Sequence, residues 1–242
     1  MPLIDERATI VCGTNRDDLA SFVRVRVEPS RTLIAIADGH SCGWSSGVVE
    51  IARPVLDAVE RALEVEPDAN IESLFVPART AFYEAAAPYP EDYDVGGPAA
   101  QLTIVELQAR RARVARLGNL DVSVIRAGQL AEVPSPGSFG DWIERAVFGP
   151  PRVRELELAT GDLVVLSRRW VTFPLAIPPF DVDELTRALV ALAPHARDAR
   201  DFVAAALARW EHDEGAMQRS HPSHGASRVV LAATHARADI GC

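Results

Sequence analysis

The sequence predicts an α+β fold in which sheets are covered by helices. Three observations lead there. Strand-like runs come in groups, helix-like runs come in pairs between those groups, and no strand–helix alternation of the doubly wound kind runs along the chain. The 242 residues contain no internal repeat, no low-complexity tract and no long linker, so one domain over 1–242 is expected.

The elements follow in order. Thr9 to Cys12 is a short apolar strand. Ser21 to Val27 alternates Phe22, Val23, Val25 and Val27 with Arg24 and Arg26, the period of a half-buried strand. A turn at Glu28-Pro29-Ser30-Arg31 leads into the continuous apolar strand Thr32 to Ala37, which ends at Asp38-Gly39-His40. Ser46 to Glu64 sets Val48, Val49, Ala52, Val55, Leu56, Val59 and Leu63 on one helical stripe, and Asn70 to Ala87 does the same with Ile71, Leu74, Phe75, Ala78 and Phe82. After a polar loop at Pro88 to Pro98 come strands at Ala100 to Gln108, Arg113 to Leu117, Asp121 to Arg126 and Gln129 to Val133, with Ala127-Gly128 as a hairpin turn. Pro134 to Asp141 reads as loop, Arg152 to Leu158 as strand, and Gly161-Asp162 as a turn into the buried strand Leu163 to Leu166. Asp181 to Ala193 opens with Asp181 and Glu184 in capping-box spacing, and Asp198 to Trp210 is an amphipathic helix. Glu211 to His224 is polar and reads as a loop before the closing strand Ser227 to Ala233.

Composition narrows the function classes. With 48% hydrophobic and 24% charged residues, the chain can bury a core without help from metals or disulfides. A net charge of -9 argues against nucleic acid and anionic membranes as partners, because both select a basic surface. All 25 basic residues are Arg, which reads as codon bias. Cys12, Cys42 and Cys242 are odd in number and far apart, so neither a disulfide framework nor a structural zinc site is expected, and the cytoplasm is the expected home. The first residues lack the basic-then-apolar pattern of a signal peptide, and no apolar run approaches the ~20 residues of a membrane helix.

Five motifs in sequence order carry a resemblance. They are Asn15-Arg16-Asp17; the strand Ile34 to Ala37 ending in Asp38-Gly39-His40; Ala115 to Asn119 followed by Val124 to Gly128; Leu156 to Ser167 with its Gly161-Asp162; and His224 to Leu231. Together they resemble the PPM-type serine/threonine phosphatases, in the N-E-D segment, the D-G-H strand, the G-D hairpin, the L-x-L-x-x-G-D strand pair and the closing D-N strand. The resemblance covers nearly the whole chain. It implies an α/β sandwich, two packed antiparallel sheets with a helix pair on each outer side.

The resemblance also implies chemistry. PPM-type hydrolysis uses paired Mg²⁺ or Mn²⁺ ions that bind phosphate and activate a bridging water, and these hard ions need oxygen ligands. Asp38 matches the bridging carboxylate, Gly39 the carbonyl ligand, His40 a general acid, and Asp17 the acid of the N-E-D segment, whose Glu is here Arg16. Other positions depart. Ser167-Arg168-Arg169-Trp170 puts Arg169 where the family has a ligand Asp, the hairpin Asp is Asn119, the last ligand Asp falls on His224, and the phosphate-binding Arg is Cys12. A guanidinium has no lone pair to give a metal. Arg168 and Arg169 therefore read as site-blocking or anion-binding residues, with Arg169 within reach of Asp38, or as a plain surface pair. Alone, Asp38-Gly39 reads as a strand-ending turn; beside the other motifs it reads as one corner of a vestigial site. His221 and His224 read as loop residues, or with Asp38 as a Zn²⁺ or Mn²⁺ site.

The expected function is that of a catalytically inactive pseudophosphatase without cofactor. It would bind a protein, a phosphoprotein or a kinase-pathway component. The alternatives are a divergent Mn²⁺- or Mg²⁺-dependent phosphoprotein phosphatase using Asp17, Asp38 and His224, and a structural or assembly subunit that shares only the sandwich.

Overall fold

The structure, a computed structural model, describes residues 3–5, 10–14, 23–40, 48–88, 99–108, 110–118, 120–132, 143–144, 150–168, 191, 199–220 and 230–235, of which 3–5, 10–14, 38–40, 48–50, 120–121, 130, 132, 143–144, 167–168, 210–220, 230–233 and 235 are described by their backbone. The strands are β1 (Leu3–Asp5), β2 (Ile10–Thr14), β3 (Val23–Val27), β4 (Thr32–His40), β5 (Ala99–Gln108), β6 (Arg111–Leu117), β7 (Leu120–Arg126), β8 (Gln129–Glu132), β9 (Ile143–Glu144), β10 (Arg152–Glu157), β11 (Leu163–Arg168) and β12 (Val230–His235). The helices are α1 (Val48–Val65), α2 (Phe75–Ala86) and α3 (Ala199–Ser220). The strands form two sheets, ordered β1-β2-β12-β11-β7-β8 and β10-β6-β5-β4-β3, with β9 added beside β5. The fold class is α+β, as the sequence predicts. The chain divides into two compact units of interleaved sequence, 1–19 with 121–134 and 158–242, and 20–120 with 135–157.

In the second of these units, β4 is a central strand. It pairs antiparallel with β3 on one side and over nine residues with β5 on the other. Its apolar run is buried on both faces, which is why TLIAIA lacks alternation. Leu33 and Ala35 face α1, which buries Ile51, Val55, Leu56, Val59 and Leu63. Burying each such side chain is worth roughly 1.5–3 kcal/mol, so this helix–sheet layer carries much of the unit's stability.

Two arginines pin the connection between α1 and α2. Arg31 donates to Glu28 at 2.9 Å, to Glu106 at 3.0 Å, to the Ala69 carbonyl at 3.1 Å and to the Pro67 carbonyl. Arg113 donates to Asn70 Oδ1 at 3.2 Å and to Glu72 at 2.6 Å. The hydrogen bond from Arg31 outweighs burial and, with that from Arg26, holds the Glu28 carboxyl below its ordinary range. The second helix starts later than its periodicity predicts. Asn70 Oδ1 accepts the Glu72 N–H, and residues 73, 75 and 76 bond three residues back, so 71–74 form turns and the regular helix opens at Phe75.

In the other unit, β2, β12 and β11 form a continuous antiparallel ladder, with Cys12 opposite Ala232 and Val164 opposite Thr234. Helix α3 packs on β2 and β12 and buries Phe202, Val203 and Ala206. It runs to Ser220, ten residues past the end expected at Trp210. Glu211 to Ser220 has no apolar stripe, which is why it reads as loop, yet it has no Pro until Pro222 and several good helix formers. The β7–β8 turn is as expected: Ala127 and Gly128 both have positive φ, 49° and 73°, the mirror-image turn that matches strand twist. The short strands β1 and β9 were not expected, and the predicted helix over 181–193 lies outside the described residues except at position 191.

Candidate functional site

The Asp38-Gly39-His40 segment is strand, not turn. It continues β4 in register, with Asp38 opposite Gln101, Gly39 opposite Ala100 and His40 opposite Ala99. On the far side of β5, Ala100 and Ala99 pair with Ile143 and Glu144 of β9. The backbone at Asp38 is therefore held by β5, two residues beyond the last β3–β4 pair at Ile36. Gln101, directly across from position 38, is fully buried.

The next step across the sheet is Gly118, which follows the Leu117–Leu102 pair. Its φ is +97°, and a Cβ there would lie 2.7 Å from Gln101 Cγ and 3.0 Å from Oε1. Only glycine satisfies both the conformation and the approach of Gln101. Asp38, Gln101 and Gly118 thus form one row, and Asn119 comes immediately after it in sequence. Gln101 had no local signal: its register with Asp38 is a long-range pairing.

A second convergence lies at one end of the other sheet. Thr14, the last residue of β2, pairs with Val230, the first of β12. Ser167 pairs with Leu231, and β11 ends one residue later at Arg168. The stretches that carry Arg16 and Asp17, Arg169, and His224 therefore all attach at this same end. Arg16 follows Thr14 by two residues and Arg169 follows Arg168 directly. Asp17, Arg16, Arg169, Asn119, His221 and His224 themselves lie outside the described residues, as do the side chains of Cys12, Asp38, His40 and Arg168. Among the described residues, no three His, Cys, Asp or Glu side chains gather as a metal site, and no helix is long and apolar enough to cross a membrane.

One motif carboxylate is seen in full. Asp162 is 1% exposed and receives Arg126 as a fork, Nε to Oδ1 at 2.9 Å and Nη2 to Oδ2 at 2.7 Å. Its Oδ2 also accepts the Ala159 N–H at 2.7 Å, while its own N–H donates to the Ala159 carbonyl. Burial pushes this carboxyl up, but the Arg126 hydrogen bonds and the Ala159 amide outweigh it and hold it below its ordinary value. The acid closes the Gly161 turn and ties it to the hairpin at the end of β7. The sequence marked Gly161-Asp162 as a turn without naming Arg126 as its partner.

No protein-family model and no curated protein sequence matches this chain. Solved structures do. A bacterial serine phosphatase superposes with TM-score 0.64 at 14% identity, covering 95% of this chain and 99% of that one. The PP2C phosphatase domain of SpoIIE from Bacillus subtilis, with part of its regulatory domain, gives 0.63 at 11%, covering 93% and 63%. The catalytic domain of the serine/threonine phosphatase PstP, in complex with two manganese ions, gives 0.50 at 15%, covering 96% and 92%. At these identities the likeness is one of fold: the chain has the architecture of the PPM-type phosphatases.

Proposed function

We propose that this protein is a PPM-like domain with a degraded metal site, a catalytically inactive pseudophosphatase that binds a protein. The carrying observation is that the fold and its structural acid, Asp162, are kept while the donors implied for catalysis are replaced. By the resemblance, Arg169, the residue after the end of β11, stands where an anionic oxygen is needed. Asn119 follows Gly118 where a carboxylate is needed. A pair of divalent ions needs several hard oxygen donors, and Asp17, Asp38 and Gly39 supply one corner alone. The donor set does not fit the ion pair, so we derive no hydrolytic step through it.

In this reading Arg168 and Arg169 bind an anion or block the site, and His40 is a vestige of the general acid. The partner is a phosphoprotein or a kinase-pathway component, met in the cytoplasm. The test is p-nitrophenyl phosphate hydrolysis with and without Mn²⁺, read beside the melting temperature. A ligand that binds only the native state raises Tm. We expect no Mn²⁺-dependent turnover and no Mn²⁺-dependent rise in Tm. Turnover that requires Mn²⁺ and is lost in Asp38→Ala would establish the divergent phosphatase instead.

A further inference from the structure

Among the described residues, the outer edge of the second sheet at β3 lies beside a small pocket. Strand β3 is the terminal strand in the order β10-β6-β5-β4-β3, paired along its length with β4 and with no further strand among the described residues. Exposed edges of this kind invite another chain, and charged side chains on the strand are one way proteins guard them. Here acids of the same chain engage the strand's Arg24 and Arg26. Arg24 pairs with Asp57 and with Glu60 of α1, the latter at 3.0 Å, and Arg26 pairs with Glu28 at 2.7 Å. Their charges are neutralised by the chain itself.

Between β3 and α1 opens a pocket of about 210 Å³, with Leu33, Ala35, Val59 and Leu63 among its apolar walls and Arg24 and Arg26 of β3 lining it as well. That is below the ~300 Å³ at which small-molecule sites begin, so it suits one side chain rather than a cofactor. Glu64 stands on its rim and, among the described residues, has no hydrogen-bond or ion-pair partner.

We propose that β3 and this pocket form a docking site for an extended segment of a partner protein. The segment adds a strand beside β3, drops one aliphatic side chain into the pocket, and carries a basic residue two positions away on the same face to meet Glu64. A second copy of this chain fits less well. Its own β3 carries Arg24 and Arg26 on the helix side, so edge-to-edge pairing would bring guanidinium groups, not an aliphatic side chain, against the Arg24 and Arg26 that already line the pocket. By strand alternation position 38 belongs to the opposite face of β4 from Leu33 and Ala35, so the proposal stands whether or not the metal site is degraded.

The probe is the peptide Ac-Thr-Lys-Thr-Ile-Thr-Lys-Thr-NH₂, titrated into the whole protein by calorimetry and by amide NMR shifts. Saturable binding with shifts on β3 and α1 is expected. Replacing the central Ile of the peptide by Asp weakens it at least about tenfold, and Glu64→Arg weakens it about threefold or more. Ala35→Leu, which fills the pocket, abolishes it; if that variant fails to fold, Glu64→Arg, at an exposed position, and the altered peptide still decide. Equal affinity for the Ile and Asp peptides, or no binding at about 1 mM, overturns the proposal. So does a concentration-dependent dimer that Ala35→Leu removes, which would make the occupant a second copy.

Discussion

Gly118 and Gly161 share a sequence context and differ in what surrounds them. Each has a strongly positive φ, +97° and +88°, and each precedes a position where PPM-type phosphatases carry Asp. After Gly161 the acid is kept: Asp162 is buried, forked by Arg126 and bonded to the Ala159 amide. After Gly118 it is Asn119. Asp162 holds a turn against a hairpin, whereas an acid at position 119 is what the resemblance implies for metal chemistry. The two glycines also differ mechanically. Gln101 presses on Gly118, whereas nothing lies within 4 Å of where a Gly161 Cβ would be.

That contrast can be broken by substitution. Gly118→Ala is expected to cost the most, about 3 kcal/mol in urea unfolding, because it adds a clash with the buried Gln101 to the left-handed penalty. Arg126→Ala is expected to cost about 2 kcal/mol. It leaves Asp162 buried without its cation, but Arg126 is half exposed, so the loss falls below the roughly 3 to 5 kcal/mol of a fully buried pair. Gly161→Ala should cost only about 1 kcal/mol, the conformational penalty alone. Equal costs for the two glycine variants would show that the Gln101 contact does not matter.

The smallest effect is in pH. Asp162 and Glu28 both have carboxyls held below their ordinary values in the folded state. The unfolded chain therefore binds more protons in that range. Their contribution is fully present above the ordinary carboxylate values near 4 and is lost as pH falls through the folded values. Stability should thus be level from pH 7 to 5 and fall below about pH 4, less steeply in Asp162→Asn. Identical acid slopes for wild type and Asp162→Asn would remove Asp162 as a source.

The frame was legible wherever local pattern decides structure. Arg24 and Arg26 alternating with valines gave β3, the TLIAIA run gave β4, and Ala127-Gly128 gave the hairpin. The far half of α3 was not, because a polar helix over Glu211 to Ser220 has no apolar stripe to reveal it. Strands β1 and β9, of three and two residues, are too short to show a period. At the site, Asp38-Gly39-His40 was legible as a motif, yet its continuation as paired strand and its neighbour Gln101 depend on contacts between residues about sixty positions apart. The Arg126–Asp162 fork, also long-range, was hidden for the same reason.

The central claim is the proposal that Asp162 is kept as a structural acid while Arg169, Asn119 and His224 stand where the resemblance implies metal-site acids, leaving Asp17 and Asp38 too few to hold two ions. Equilibrium dialysis of the whole protein against Mn²⁺, at concentrations that saturate a two-ion phosphatase site, tests it most directly. The account predicts no stoichiometric Mn²⁺ on the wild-type chain. Two tightly held ions per chain, released by Asp38→Ala, would contradict it.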